Sequence, residues 1–313
     1  MNGNPQNLAW SIVLAGGEGE RIRPLVMRWL GRHKPKQYCR FTGSRSMLEH
    51  TLDRADRISG PERKVTIIAR SHRPEANPQL IQHASGIVVE QPVNRDTAAG
   101  IFLPLSIVRA REPHATVVVY PSDHFIYPEE RFVDAVSKIV AAVDVLPDKL
   151  VLLGVTPDAL ELDYGWIRPG RELWHLDGCC IRAVEGFCEK PGFEEAKAVF
   201  EAGGLWNTLI FAAKVEALWE MGWKYIPEIM PQFEDLCARV DALNQPWLLD
   251  EIYRGMPKRN FSSDLLTRAV HDIAAVELDG VRWSDWGRPE RIVSTLSEMG
   301  KQPAFPLRCL TGG

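Results

Sequence analysis

The sequence lacks the features that mark several classes of protein. It contains no run of 18 apolar residues, so it predicts no membrane-spanning helix. The segment 1–7 is polar, without the basic and then apolar pattern of a secretory signal. The six cysteines form no CxxC pair and no ligand-like spacing to histidine, which indicates reduced thiols in a reducing compartment. Together these absences favour a cytoplasmic protein.

A strong excess of one charge is also missing. With 37 Lys and Arg against 41 Asp and Glu, the net charge of −4 predicts no general affinity for nucleic acid or membranes. One stretch differs, because residues 21–45 contain eight Lys or Arg and no acidic residue. Such a run is usually a solvated basic loop, and the alternative is a positive field over a polyphosphate site.

Short apolar runs alternate with helical patterns through the first half of the chain. The predicted strands are Trp10–Ala15, Val65–Ala69, Ile87–Glu90, Val117–Tyr120 and Leu150–Val155. The predicted helices are Ser46–Ile58, with a capping box to Glu49, Thr97–Arg111 and Glu129–Val145. Near-continuous apolar strands indicate burial on both faces, as in a parallel sheet covered by helices. The alternation predicts an α/β, doubly wound fold.

The second half has a different pattern. Strands are predicted at Ile181–Cys188, Trp206–Ala213 and Ala274–Leu278, and helices at Phe193–Ala202 and Pro289–Met299. Between them, residues 215–270 are largely helical, with breaks at Pro227, Pro231, Pro246 and Pro257. No repeat or linker divides the chain. We therefore predict one domain over 1–295 with a helical C-terminal elaboration, followed by a tail at 296–313.

The strongest local signal follows the first strand. Residues 14–25 read Leu-Ala-Gly-Gly-Glu-Gly-Glu-Arg-Ile-Arg-Pro-Leu, and glycines at this place let the backbone approach a phosphate or a base. The loop is not a P-loop, since no Gly-Lys-Ser/Thr follows, and its glycines do not have dinucleotide spacing. Arg21 and Lys36 follow the glycines. Polyphosphate needs fixed cations of this kind, which favours the second interpretation of the basic stretch.

Several motifs in one order carry a family resemblance. They are residues 14–25, Pro-Lys-Gln at 35–37, 90–98, Pro-Ser-Asp-His at 121–124, Tyr-Gly-Trp-Ile at 164–167, 187–191, Trp206-Asn207 and Trp-Ser-Asp-Trp-Gly at 283–287. The chain resembles the sugar-phosphate nucleotidylyltransferases over 10–295, most closely those that make GDP-mannose from GTP and mannose 1-phosphate. The resemblance implies a mostly parallel, mixed, Rossmann-like sheet. It also implies a nucleotide half at about 8–150 and a sugar-phosphate half at about 151–295.

The resemblance also implies a set of site residues. Arg21, Lys36, Asp123 and Lys190 would be catalytic, and Asp123 and Asp285 would hold Mg²⁺. The nucleotide would contact Ala15, Gly16, Gly17, Gly19, Arg95, Thr97 and Ser122. The sugar phosphate would contact Gly165, Glu189, Lys190 and Asn207.

Simpler roles are open for most of these residues. An Asp after a strand is commonly a helix N-cap or a turn residue, so Asp123 alone indicates little, and Asp285 could form a loop hydrogen bond. Glu189 and Lys190 could be an exposed ion pair of little energetic consequence. Thr97 could be an N-cap. The pattern as a whole, rather than any single position, favours the functional roles.

Four departures from the family pattern bear on specificity. Glu20 replaces a Thr, Asn94 and Asp96 flank Arg95 where Gly and Asn are usual, Leu209 replaces a Gly, and the stretch from Arg21 to Lys36 is longer. Three alternatives therefore stay open: the same reaction on another hexose 1-phosphate or NTP, a non-catalytic nucleotide-sugar sensor, and a glycosyltransferase, although the chain has no DxD motif. A homodimer is an expectation from the family.

Overall fold

The computed structural model describes residues 9–83, 85–176 and 178–310. Its strands are β1 (Ala9–Ala15), β2 (Lys64–Ala69), β3 (Ile87–Gln91), β4 (Thr116–Pro121), β5 (Phe125–Tyr127), β6 (Leu150–Val155), β7 (Gly165–Leu176), β8 (Cys179–Glu189), β9 (Leu205–Lys214), β10 (Ile273–Glu277) and β11 (Arg282–Ser284). Its helices are α1 (Arg23–Leu30), α2 (Met47–Asp56), α3 (Arg73–Leu80), α4 (Asp96–Arg111), α5 (Glu129–Val145), α6 (Phe193–Glu201), α7 (Val215–Tyr225), α8 (Met230–Ala238), α9 (Pro246–Ile252) and α10 (Pro289–Glu298), with a π-helical turn at Phe261–Leu266.

Nine strands form one mixed sheet in the order β3-β2-β1-β4-β9-β6-β10-β8-β7. The pairings of β1 with β2 and β4, of β2 with β3 and of β6 with β10 are parallel. Only β8 and β9 run against the other seven strands. The predicted mixed, mostly parallel α/β sheet is thereby confirmed.

Helices cover both faces of this sheet because its strands are apolar on both sides. Every residue of β2, β4 and β6 is buried. Successive residues of β1 enter different cores: Ile12 packs in the cluster formed by α4, α7 and α8, and Val13 in the cluster formed by α2 and α5. This division into two layers is the doubly wound arrangement that the sequence predicts.

A small second sheet determines where the predicted site lies. Strands β5 and β11 pair antiparallel, with Trp283 opposite Ile126 and Ser284 opposite Phe125. The pairing therefore places the residues just before Phe125 next to those just after Ser284. Asp123 and Asp285 lie at those positions, so two strands of three residues bring together aspartates that are distant in the chain.

The structure adds elements that the sequence did not predict. Inside the basic stretch 21–45 lies α1, which begins with Pro24 in its first turn, so Arg21 and Lys36 do not lie on one continuous loop. β7 forms a long hairpin with β8. Pro231 and Pro246 lie in the first turns of α8 and α9, where proline is favoured, so they begin helices rather than break one.

Three further observations complete the fold. All six cysteines are free thiols. Among the described residues, no helix has both the length and the apolar character to cross a bilayer. In the segment predicted as a tail, Phe305 and Cys309 are buried in a cluster with Leu25 and Trp286.

Candidate functional site

The glycine loop after β1 is attached to the turn that contains Lys36. The Gln37 side-chain amide donates to the backbone oxygens of Ala15 (2.9 Å) and Gly17 (2.8 Å), and the Tyr38 hydroxyl donates to Ala15 (2.8 Å). Gly19 has φ +64°, and a Cβ there would lie 3.0 Å from the Lys36 amide nitrogen. Glycine is therefore required at this position for both conformation and space. The first two predicted motifs form one unit.

Lys36 connects that unit to the two aspartates. Its side chain is only 5% exposed, and Nζ lies 2.8 Å from Oδ2 of Asp123. The same Nζ donates to the backbone oxygen of Asp285. A buried ammonium needs such partners, and here they come from the ends of two different strands.

The Asp285 carboxylate is almost completely satisfied by donors. Oδ1 accepts from the Tyr164 hydroxyl (3.0 Å), the Gly287 amide (2.8 Å) and Arg291 Nη1 (2.8 Å). Burial raises the pKa of this carboxyl, but the surrounding donors, Lys36 first among them, outweigh burial and hold the pKa well below its usual range. Asp285 is therefore ionised at neutral pH.

Arg21 contacts the same carboxylate, and we call the partly exposed space beside Arg21, Asp123 and Asp285 the cleft. Its Nη2 donates to Oδ2 of Asp285 at 2.7 Å, and Nη1 lies 3.7 Å from Asp163. The Arg21 side chain is 50% exposed, so it can also reach a ligand. A Cβ at Gly287 would lie 2.5 Å from Asp285 Oδ2 and 2.6 Å from the Arg21 guanidinium carbon, which explains a glycine there.

Asp123 is the more accessible of the two aspartates, with 38% of its side chain exposed. Burial of its carboxyl raises the pKa and Lys36 lowers it, with a net shift downward. The neighbouring His124 packs edge-on against Trp283, and burial lowers the pKa of its imidazole to about 4. His124 is therefore neutral at pH 7. The positive charge beside the two aspartates comes from Lys36, Arg21 and Arg291.

The predicted sugar-phosphate residues lie together across the β7–β8 hairpin. Gly165 is opposite Glu189, and a Cβ on Gly165 would lie 2.7 Å from Glu189 Oε2 and 3.3 Å from the Asn207 side chain. Lys190 has φ +49°, its amide donates to the Tyr164 backbone oxygen at 3.2 Å, and its side chain is 62% exposed. Burial raises the pKa of Glu189, although Lys190 opposes this. Through Tyr164, this group is linked to Asp285.

A cavity of about 260 Å³ lies beside the glycine loop. Gly16, Gly17 and Thr97 line it, together with Gln91 and Lys258, which the sequence analysis did not single out. The N-cap of α4 is Arg95, and the Thr97 hydroxyl accepts from the Phe261 amide at 2.8 Å, so Thr97 is not the N-cap.

Two predicted nucleotide residues make contacts with the protein itself. The Arg95 guanidinium donates to the backbone oxygen of Tyr253 at 3.3 Å. Ser122 is fully buried, and its hydroxyl donates to the Leu14 backbone oxygen at 2.7 Å. These contacts join β4 to β1 and α4 to the segment after α9.

Three of the four departures from the family pattern have local explanations. Glu20 is exposed and lies 3.8 Å from Arg23, so its charge is balanced at the surface. Part of the stretch between Arg21 and Lys36 forms α1. Leu209 adopts φ +56°, which is costly for leucine, and its side chain packs on the core around Phe211.

Three contacts of the candidate site were missed by the sequence analysis. Tyr164 and Gln37 lie inside quoted motifs, so their hydroxyl and amide could have been considered there. Arg291 lies four residues beyond Gly287, in the first turns of α10, and no motif marks it.

The chain resembles known nucleotidyl transferases in sequence. A family model for nucleotidyl transferases matches residues 10–302, so the chain belongs to the nucleotidyl transferase family. This confirms the predicted resemblance to the sugar-phosphate nucleotidylyltransferases.

Several of the similar proteins are named mannose-1-phosphate guanylyltransferases. The chain is 31% identical over 291 residues to mannose-1-phosphate guanylyltransferase ManC of Salmonella typhimurium, covering 90% of this chain and 58% of that protein. It is 30% identical over 289 residues to mannose-1-phosphate guanylyltransferase of Escherichia coli K12, with the same coverage of 90% and 58%. The chain spans about half the length of the curated relatives it matches. A solved structure from Thermus thermophilus, named mannose-1-phosphate geranyltransferase, superposes with a TM-score of 0.76 at 25% identity and covers 94% of this chain and 80% of that one.

Proposed function

We propose that this chain transfers a nucleotidyl group from an NTP to a hexose 1-phosphate, with GTP and mannose 1-phosphate as the preferred pair. The observation that carries the proposal is the position of Lys36, which contacts Asp123 and Asp285 beside the glycine loop. Tyr164 links Asp285 to the paired Gly165 and Glu189. The names of the relatives support the choice of substrates. The six free thiols support the expected cytoplasmic location.

The proposed reaction needs no protein nucleophile, because a phosphate monoester is already anionic. An oxygen of the sugar phosphate forms a bond to the α-phosphorus of the NTP. The bond from that phosphorus to the bridging oxygen breaks, and pyrophosphate leaves with the electron pair. Lys190 would hold the attacking phosphate, and Arg21 and Lys36 would neutralise the β- and γ-phosphates. Catalysis then consists of positioning and charge neutralisation.

The two aspartates fit Mg²⁺, which we propose as the cofactor. Both carboxyls have lowered pKa values, Asp123 is 38% exposed, and the half-exposed Arg21 donates to Asp285 Oδ2. Within the described ranges, no group of three or more His, Cys, Asp or Glu side chains is placed to hold a metal. Water and phosphate oxygens would complete the coordination, as is common for Mg²⁺. The ion would supply further charge neutralisation at the phosphates.

Pyrophosphate release tests the proposal. The protein is incubated with Mg²⁺, each of four NTPs and several hexose 1-phosphates. We expect the highest kcat/KM with GTP and mannose 1-phosphate. Turnover with another pair would retain the chemistry and change the substrates, and no turnover across the panel would contradict the proposed function and favour a nucleotide-sugar sensor.

Replacing Gly165 by alanine should weaken sugar-phosphate binding selectively. The new Cβ would lie 2.7 Å from Glu189 Oε2, so the carboxyl must move away from its position in the pocket. We expect KM for the hexose 1-phosphate to rise at least about 10-fold, while KM for the NTP changes little. Gly192→Ala is the matched control, because nothing lies within 4 Å of a Cβ there. Equal KM values for both variants would remove Gly165 from the pocket.

A further inference from the structure

Arg291, in α10, contacts Asp285, the aspartate that the family resemblance assigns to the metal. Its side chain is only 15% exposed, and Nη1 donates to Asp285 Oδ1 at 2.8 Å. Its guanidinium carbon lies 4.6 Å from the centre of the Tyr164 ring. The arginine therefore lies between the face of Tyr164 and the carboxylate that the Tyr164 hydroxyl also contacts.

The other side of the guanidinium is held by two acidic residues. Nη2 donates to Asp163 Oδ2 at 3.1 Å and contacts Glu161 Oε2. These acids lie just before Tyr164 in the chain. The guanidinium fork thus joins the segment before β7 to Asp285, and a planar fork is better suited to this bridge than a flexible ammonium.

The donors divide unequally between the two oxygens of Asp285. Oδ1 accepts three hydrogen bonds, from Arg291, Tyr164 and the Gly287 amide. Oδ2 accepts from the half-exposed Arg21. Three bonds at one oxygen oppose rotation of the carboxylate, so Oδ2 stays directed to the cleft that contains Arg21.

We infer that Arg291 is a positioning residue that fixes the Asp285 carboxylate with Oδ2 directed to the cleft, where the divalent cation would replace Arg21 as its partner. The inference rests on the proposed function, because it takes Asp285 as a metal ligand. No step of the transfer passes through Arg291.

Removing the Arg291 side chain should either raise or lower the affinity for a cation, depending on whether its charge or its orienting role is more important. An arginine 2.8 Å from Oδ1 lowers the negative potential at Asp285, so removing its charge would by electrostatics alone tighten the binding of a cation. Loss of orientation has the opposite effect, because the carboxylate can then rotate away from the cleft. We expect orientation to be the larger effect.

Titration with Mn²⁺ on the whole protein tests the inference, with free Mn²⁺ followed by electron paramagnetic resonance. For Arg291→Gln we expect the dissociation constant to rise at least about 5-fold, close to the range typical for loss of groups that orient metal ligands. Arg291→Lys should restore part of the affinity. Arg288→Gln is the matched control, since Arg288 contacts Asp163 at 2.5 Å and neutralises the same acidic group. It should change the constant less than about 2-fold.

Tyr164→Phe provides a second variant in case Arg291→Gln does not fold. It removes one Oδ1 donor without a change of charge, and we expect a rise of about 2- to 5-fold. An unchanged or lower constant in a folded variant would overturn the role of Arg291. No Mn²⁺ binding by the wild type would overturn both the metal site and this role. Normal Mn²⁺ binding with silence in the substrate panel would contradict only the proposed function.

Discussion

Lys36→Met should lower kcat on the order of 10³-fold, the largest effect that we expect from one substitution. Methionine keeps the unbranched stem but removes the ammonium that lies 2.8 Å from Asp123 and contacts the Asp285 backbone. Without this charge, both aspartates face the incoming phosphates with less neutralisation, and the leaving pyrophosphate loses a fixed cation. Steady-state pyrophosphate release with saturating substrates measures the change.

A nearby lysine provides the control for this variant. Lys34 lies 3.4 Å from Glu75 and has 20% of its side chain exposed, but it does not contact either aspartate. Lys34→Met should therefore keep kcat within about 3-fold of wild type. Asp123 is 38% exposed, so water can solvate its carboxylate when the ammonium is removed. We therefore expect Lys36→Met to fold, and circular dichroism checks this. Folded protein with near-normal kcat would remove Lys36 from the mechanism.

Arg21→Ala should lose at least about 100-fold in kcat while the fold stays intact. Its side chain is half exposed, so few packing contacts are lost. Lys36 and Arg291 still surround Asp285, and the pKa of that carboxyl should stay low. The loss then reports charge stabilisation at the phosphates. In the structure Arg21 donates to Asp285, and we expect it to exchange this contact for the triphosphate when substrate binds.

Arg23→Ala is the matched control for Arg21→Ala. Arg23 lies two residues further on, is 51% exposed, and lies 3.8 Å from Glu20 at the surface. Its kcat should equal that of wild type within about 2-fold. A similar loss in both variants would indicate a general effect of positive charge over the cleft, and it would remove the specific role of Arg21.

The helices and strands that the sequence predicted well have strong local signals. The capping box at Ser46 and Glu49 is present, and α2 begins directly after Ser46. The apolar runs at 65–69 and 150–155 are strands of the central sheet. The sequence missed α1, because the basic residues and Pro24 resemble a loop when each is considered alone. Its first turn tolerates that proline, and Leu25 and Val26 are buried against the rest of the fold.

The sequence by itself determined the layered α/β fold, the glycine loop and the identity of most candidate site residues. Periodicity and short motifs are properties of neighbouring residues, so they can be read without coordinates. Only the tertiary structure decided which charges meet. Lys36 and Asp285 are 249 residues apart, and the approach of Asp285 to Asp123 depends on the register of β5 against β11. The contacts of Asp285 with Arg291 and Tyr164 also arise only from tertiary packing. No sequence motif links the segments that carry these residues.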